Sequence, residues 1–238
     1  MGRLNKPIHS FYDPSFEGKS GVISDEEFHH CIQVLRHKEG DTIKVLNGKG
    51  IIGTVRIVEV TKKVLTYEVM AKEELPKKSF SVHLFIAPTK NMDRMEWMVE
   101  KLGEIHIDAI TFIKTENSER TKLRMDRLDR KLISAMKQSK SGWKTQLHNL
   151  VDFDEILSNL DDHTIIAHLA DDARHICDSV SPNEPYKILI GPEGDFSSEE
   201  VHSTLQYDVK PVSLGKATLR TETAGIFACQ AINMVNRY

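Results

Sequence analysis

Apolar residues follow two kinds of pattern along the chain, and the change between them comes near residue 75. Before it, three β-rich runs succeed one another: Thr42 to Leu46, Ile51 to Val58 and Val64 to Met70, joined by Asn47-Gly48 and by Thr61-Lys62-Lys63. Runs of β-branched residues separated by short turn sequences predict a small antiparallel barrel. Upstream, Ser24-Asp25-Glu26-Glu27 has capping-box spacing and predicts a short amphipathic helix through His29, His30, Ile32, Val34 and Leu35. Pro76-Lys77-Lys78-Ser79 reads as a linker, which divides the chain into a domain over 1–75 and another over 76–238. Beyond the linker strand and helix alternate. Phe80 to Ala87 predicts a strand, and Asn91 to Leu102 a helix with Met92, Met95, Met98, Val99 and Leu102 on one face and Gly103 closing it. Ala109 to Ile113 predicts the next strand, Asp126 to Met136 the start of a basic amphipathic helix, and His163 to Leu169 a further strand. Two apolar runs, Ile188 to Ile190 and Pro211 to Leu214, then break into glycine, and each break is followed by a helical signal. The alternation implies an α/β domain built on a mostly parallel sheet covered on both faces.

Composition excludes more than it proves. A chain of 238 residues with 39% hydrophobic and 28% charged residues can bury one large core or two modest ones, so disordered and fibrous classes are set aside. No stretch approaches the ~20 apolar residues of a membrane span, and MGRLNKPIHSFYD has no signal-peptide core, which predicts a cytoplasmic protein without a membrane partner. Cys31, Cys177 and Cys229 are isolated and odd in number, the usage of reduced thiols. The net charge of −3 hides an uneven distribution. Residues 1–80 carry 13 Lys/Arg against 11 Asp/Glu, residues 81–150 carry 13 against 9, and residues 151–238 carry 6 against 15. A polyanion is therefore expected to approach the first 150 residues. The densest part is 114–144, with ten cations against four acids beside the irregular stretch Thr115 to Thr121.

Several chemistries find no footing. Gly48-Lys49-Gly50-Ile51-Ile52-Gly53 matches the dinucleotide fingerprint in letters, but its third glycine opens no helix, and Asn47-Gly48 between β-rich runs predicts a hairpin. The eleven histidines show no HExxH and no pairing with Cys-x-x-Cys, so no metal is expected. A G-x-S-x-G nucleophile elbow and a Walker A loop are both missing.

The unusual chemistry is concentrated between Lys187 and Ile232. There the first apolar run ends in Gly191-Pro192-Glu193-Gly194 and the second in Gly215, while Arg220 and Glu222 are charges set among apolar neighbours. Ser197 with Glu200 has capping-box spacing, and Thr221-Glu222-Thr223-Ala224 leads into a second helix. Strand, glycine turn and helix, twice over, is how α/β proteins build ligand-binding edges.

IGPEGDFS followed by SLGKATLRTETA resembles the signature of the RsmE family, small-subunit ribosomal RNA uridine methyltransferases of the SPOUT superfamily. His30-Cys31-Ile32-Gln33-Val34-Leu35-Arg36 with Gly40-Asp41, Lys90, Leu102-Gly103, Ser118-Glu119-Arg120 and Ala135-Met136-Lys137-Gln138-Ser139 extend the likeness over nearly the whole chain. The resemblance implies an N-terminal PUA-like β-barrel for RNA and a C-terminal SPOUT α/β-knot domain with a deep trefoil. It further implies S-adenosylmethionine as methyl donor, 16S ribosomal RNA of the small subunit as target, and a homodimer with its site at the subunit interface. On that basis Leu169, Ile190, Leu214 and Leu219 are expected to wall the adenine. Gly191, Gly194 and Gly215 would let backbone approach the donor closely, with Pro192, Arg220 and Thr223 beside them. Methylation of uridine N-3 needs in-line alignment and removal of a proton: Arg220 is expected to neutralise the developing oxyanion or hold a phosphate, and Glu193 or Glu222 to accept the proton. Arg3, Lys6, Arg36 and Arg120 are the candidates for RNA contact. Three positions depart from the usual pattern: Asp195 stands where many members carry glycine, Lys140 where they carry arginine, and Lys101 where they carry glutamate. Other SPOUT chemistry, on a ribose 2′-oxygen or on transfer RNA, and a non-catalytic RNA-binding protein are the alternatives.

Overall fold

A computed structural model describes residues 8–168 and 173–238. It divides into two compact units, one of residues 1–77 with 133–144 and the other of residues 78–132 with 145–238. Arg3, Lys6 and Leu169 lie outside the described residues.

The first unit is built on β1 (Ser10–Tyr12), β2 (Ser20–Ser24), β3 (Thr42–Leu46), β4 (Ile51–Val60) and β5 (Val64–Glu74), in the order β1-β3-β4-β5-β2. β1 runs parallel to β3 and the other pairings are antiparallel, giving a half-barrel sheet. Its apolar face encloses Phe11, Phe16, Ile43, Val45, Val55, Leu65 and Tyr67. The three central strands fall where the β-rich runs predicted them, whereas β1 and β2 carry too few apolar residues to be read. The fingerprint-like glycines form the β3–β4 turn: Gly48 and Gly50 have φ of 73° and 93°, and Gly53 pairs within β4 opposite Val45.

The predicted N-terminal helix is split. α1 (Asp25–His29) is followed by a π-helical turn over His30–Val34, and no capping box forms at Ser24. Glu27, the carboxylate that would close the box, instead accepts from the backbone of Tyr12 at 3.0 Å and pairs with Lys137. Ser24 donates to Asp25 at 2.6 Å, and Asp25 takes a left-handed φ of 51°.

Among the described residues the second unit has seven parallel strands in the order β10-β12-β9-β11-β6-β7-β8. These are β6 (Ser81–Ile86), β7 (Ala109–Lys114), β8 (Gln146–Asp152), β9 (Thr164–Ala167), β10 (Arg174–His175), β11 (Pro185–Ile190) and β12 (Lys210–Ser213). Alternation along the central strands sends side chains to two cores. Leu84, Ile86, Ile110, Ile165, Ile188 and Ile190 meet Met95, Met98 and Ile232 on one side, while Phe85, Ile113, Ile166 and Leu189 meet Phe153, Ile156 and Phe196 on the other. The helices are α2 (Met92–Glu104), α3 (Met125–Ser139), α4 (Phe153–Ile156), α5 (Ile176–Ser179), α6 (Ser198–Thr204) and α7 (Thr221–Val235). Among the described residues no helix is long and apolar enough to cross a membrane.

One local expectation is corrected. Gly103 does not end α2: it is buried inside the helix, which Asn91 caps at its start by accepting from Asp93 and Arg94, and His106, at φ 56°, makes the left-handed exit. The two compact units part near Lys77 and again within α3, between Leu132 and Ile133. Within the first unit Met136 of that helix packs on Leu46 and Ile52.

His83 in β6 gives the second unit a pH dependence. Its Nε2 lies 2.7 Å from Thr111 Oγ1 and its ring stacks on Phe85 at 4.1 Å. Burial, with lesser contributions from His148 and Lys187, pushes its pKa down to about 4 from 6.5. The unfolded chain therefore takes up this proton at a higher pH than the folded one. Stability is full above pH 6.5 and falls as pH drops toward 4, by about 2 kcal/mol at pH 5 from this group. Urea unfolding at pH 7 and pH 5 should show that loss, and His83→Gln should remove most of the difference.

Candidate active site

A cleft of about 360 Å³ opens at the carboxyl ends of β9, β11 and β12. Ala167, His168, Ile190, Val212 and Ser213 line its strand-end side. Gly191, Pro192, Glu193 and Asp195 form one wall, Leu214, Gly215, Ala217, Thr218 and Leu219 another, and Arg220, Thr221 and Ala224 at the α7 start complete it. The strand ends converge here because a parallel sheet collects all its β-to-α loops on one edge.

The two glycine turns are shaped by different needs. A side chain at Gly191 would press on the backbone and ring of Phe196 at about 3.1 Å, so this glycine allows a close approach within the wall. Gly215 has open space around it but a φ of 117°, a conformation L side chains rarely adopt. The wall from 191 to 200 is braced from below. Ser197 and Glu200 form the predicted capping box of α6. The other oxygen of Glu200 accepts from the Glu116 backbone at 2.8 Å, and Asn117 Nδ2 donates to the carbonyls of Gly194 and Asp195 at 3.3 and 3.1 Å.

Ile190, Gly191, Pro192, Glu193, Leu214, Gly215, Leu219 and Arg220 all line the cleft, while Gly194 and Thr223 are exposed outside its lining. Arg220 is the N-cap residue of α7 and makes no side-chain cap, so the first amides of a 15-residue helix face the cleft with a cation beside them. Among the described residues no acceptor engages its guanidinium. Glu222 belongs to a different environment. It is 5% exposed and outside the cleft lining, with Oε1 3.7 Å from Arg94 Nε and Oε2 without a hydrogen-bond partner.

The RNA candidates scatter. Arg36 is exposed at a left-handed φ of 56° in the first unit. Arg120 donates through Nε to the Thr89 carbonyl at 3.1 Å and also to that of Lys90, which staples its loop while leaving the positive charge uncompensated by those neutral acceptors. Lys90 itself pairs with Glu119 at 2.8 Å, and Glu119, with a smaller contribution from Glu193, raises its pKa.

Sequence reading missed His168 and noted Asp195 only as a departure from glycine. His168 follows the end of β9, its Nδ1 lies 2.9 Å from Asp195 Oδ2, and both side chains line the cleft. Among the described residues one group has metal-like spacing, Asp161, Asp162 and His163, but Asp161 is paired with Lys187 at 2.6 Å and His163 with Asp162 and Glu184.

A parallel sheet with a cleft at its strand ends, in a chain that also carries a small mostly antiparallel sheet, is matched by RNA methyltransferases. Residues 76–233 match the RNA methyltransferase domain family, and residues 23–69 match the RNA methyltransferase PUA domain. The ribosomal RNA small subunit methyltransferase E of Buchnera aphidicola is 28% identical over 220 residues, covering 88% of this chain and 86% of that protein. The chain belongs to the ribosomal RNA small subunit methyltransferase E family, and its α/β class with PUA and SPOUT components is that family's. A Porphyromonas gingivalis protein assigned as an rRNA-methyltransferase is 36% identical with a TM-score of 0.90, over 97% of this chain and 99% of that one. A Legionella pneumophila protein assigned as a methyltransferase, solved with bound S-adenosylmethionine, is 28% identical with a TM-score of 0.86, over 95% of this chain and 97% of that one.

Proposed function

We propose that the chain methylates N-3 of a uridine in 16S ribosomal RNA, with S-adenosylmethionine as donor, as a homodimer in the cytoplasm. The observation that carries this reading is a cleft at the strand ends whose mouth bears, among the described residues, one exposed cation, Arg220, and one exposed carboxylate, Glu193. The donor fits that cleft on three counts. Its volume is that of a small-ligand site, Ile190, Leu214 and Leu219 offer apolar faces to a purine, and the 213–219 turn presents backbone rather than side chains at Gly215. When bound, the donor supplies a methyl group on a sulfonium, which leaves as a neutral thioether.

The residues at the mouth divide the remaining work. Glu193 takes the N-3 proton of the uridine, and Arg220 neutralises the charge that then spreads onto the carbonyl oxygens of the base. The apolar wall excludes water and holds the donor so that methyl and nitrogen lie in line. Arg3, Lys6, Arg36 and Arg120 hold RNA phosphates, with affinity falling steeply as salt rises. The expected trefoil knot would fix the two glycine turns against each other, and the second subunit would complete the RNA-binding face.

The decisive test is mass-spectrometric mapping of ribosomal RNA from cells with and without the protein. Loss of a single 3-methyluridine is the expected outcome. An unchanged 3-methyluridine content would reject the reading, and loss of a ribose 2′-O-methyl group instead would move the chain to other SPOUT chemistry.

A further inference from the structure

The cleft contains a hydrogen-bonded pair, His168 and Asp195, that the transfer step leaves unused. Asp195 sits at φ 60°, in the left-handed region, where a carboxylate is tolerated but glycine is easier. Both of its oxygens are engaged: Oδ1 accepts from the Phe196 backbone at 2.8 Å, and Oδ2 lies 2.9 Å from His168 Nδ1. A carboxylate has no hydrogen to give, so Nδ1 of His168 carries the proton and donates. That fixes the neutral ring in one tautomer, with Nε2 as a lone-pair acceptor. His168 lines the cleft, so a ligand hydroxyl or amine there meets an oriented acceptor.

The position of the pair says which part of the donor it meets. The methyl group must be offered to an RNA arriving from solvent, so the sulfonium belongs near the exposed Arg220 and Glu193. The nucleoside then lies deeper, toward the strand ends. His168 is there, directly after β9, the strand between β11 and β12. Its side chain is 27% exposed and that of Asp195 34%, so the pair is half-withdrawn from water while remaining in the cleft wall.

We propose that His168, oriented by Asp195, accepts a hydrogen bond from the nucleoside part of the methyl donor. His168 is thus a donor-binding residue and Asp195 a positioning residue acting through it. The proposal rests on the reading of the cleft as the donor site, and its test separates the two. Calorimetry with the full chain would use S-adenosylhomocysteine, and 5′-methylthioadenosine as the nucleoside without the amino-acid tail. If the unaltered protein binds neither, the donor-site reading itself fails. If it binds them, His168→Ala should weaken both by about tenfold, and His168→Gln, which keeps an acceptor near the Nε2 position, should recover most of the loss. Asp195→Asn is the sharper probe. It preserves size, and Asn tolerates the left-handed backbone. Its amide, however, would donate to Nδ1 and force the proton onto Nε2, turning the acceptor into a donor. Binding should fall as far as in His168→Ala with the thermal midpoint unchanged. Affinity within twofold of the unaltered protein in both His168→Ala and Asp195→Asn would overturn the proposal. A loss confined to S-adenosylhomocysteine would also overturn it, since the contact would then be to the amino-acid tail.

Discussion

Arg220→Ala should lower the single-turnover rate of methyl transfer by 10²- to 10³-fold while S-adenosylhomocysteine binding changes by no more than a few-fold. The magnitude is that of removing one preorganised charge from a site where charge develops, about 3–4 kcal/mol of transition-state stabilisation. Such a group acts strongly only if it is not already neutralised, and among the described residues no carboxylate pairs with Arg220. Its backbone is held at the N-cap of α7, so the guanidinium is carried by the end of a 15-residue helix rather than by a free loop. The amides of that first turn add to the same positive potential. Arg220→Lys should recover part of the rate, because a point charge remains while the planar fork is lost. Measuring rate and donor affinity on the same preparations decides the matter. An unchanged rate would remove Arg220 from the chemistry, and parallel losses in rate and affinity would make it a donor-binding residue instead.

Much of this arrangement is legible in the sequence. Two of the three strands at the cleft, β11 and β12, are the apolar runs that break into glycine: β11 is buried along most of its length and so has to be apolar throughout, whereas in β12 only Val212 is buried and the glycine after it carries the signal. The capping box at Ser197 formed as its spacing predicts, whereas the same spacing at Ser24 did not, since Tyr12 and Lys137 compete for Glu27 from distant parts of the chain. Local patterns hold until a long-range partner offers a better bond. β8 and β10 were missed for a related reason: one is an edge strand of mixed burial and the other spans two residues, so neither leaves a periodic signature.

The His168–Asp195 pair shows where single-sequence reading stops. The residues are 27 apart, His168 in unremarkable local sequence and Asp195 in the glycine turn, and they meet because β9 lies beside β11. Asp195 could be noticed as a departure from glycine, but its partner could not be named. Asn117 is similar: it looks like a surface polar residue until the loop at 115–118 is seen against the wall it supports, and the second bond of Glu200, to the Glu116 backbone, is equally invisible in its capping-box spacing.

The two glutamates of the site residues were indistinguishable as letters, and the structure gives them opposite environments. Glu193→Gln should lower the rate of transfer about 10²-fold or more, the usual contribution of a positioned proton acceptor. Its carboxylate lines the mouth and is open to solvent, so a proton taken from the base can be passed to water. Glu222→Gln should leave the rate within about threefold. Glu222 lies outside the cleft lining, with Arg94 as its cation and one oxygen unbonded, and burying a carboxylate so sparsely partnered is costly in itself. An amide there should therefore change unfolding free energy by only about 1 kcal/mol in either direction, because the lost ion pair and the relieved desolvation oppose each other. Single-turnover rates for both variants, with urea unfolding as the control, separate the roles. A silent Glu193→Gln beside an inactive but well-folded Glu222→Gln would reverse the assignment, and would mean that α7 moves Glu222 into the cleft when RNA and donor are bound.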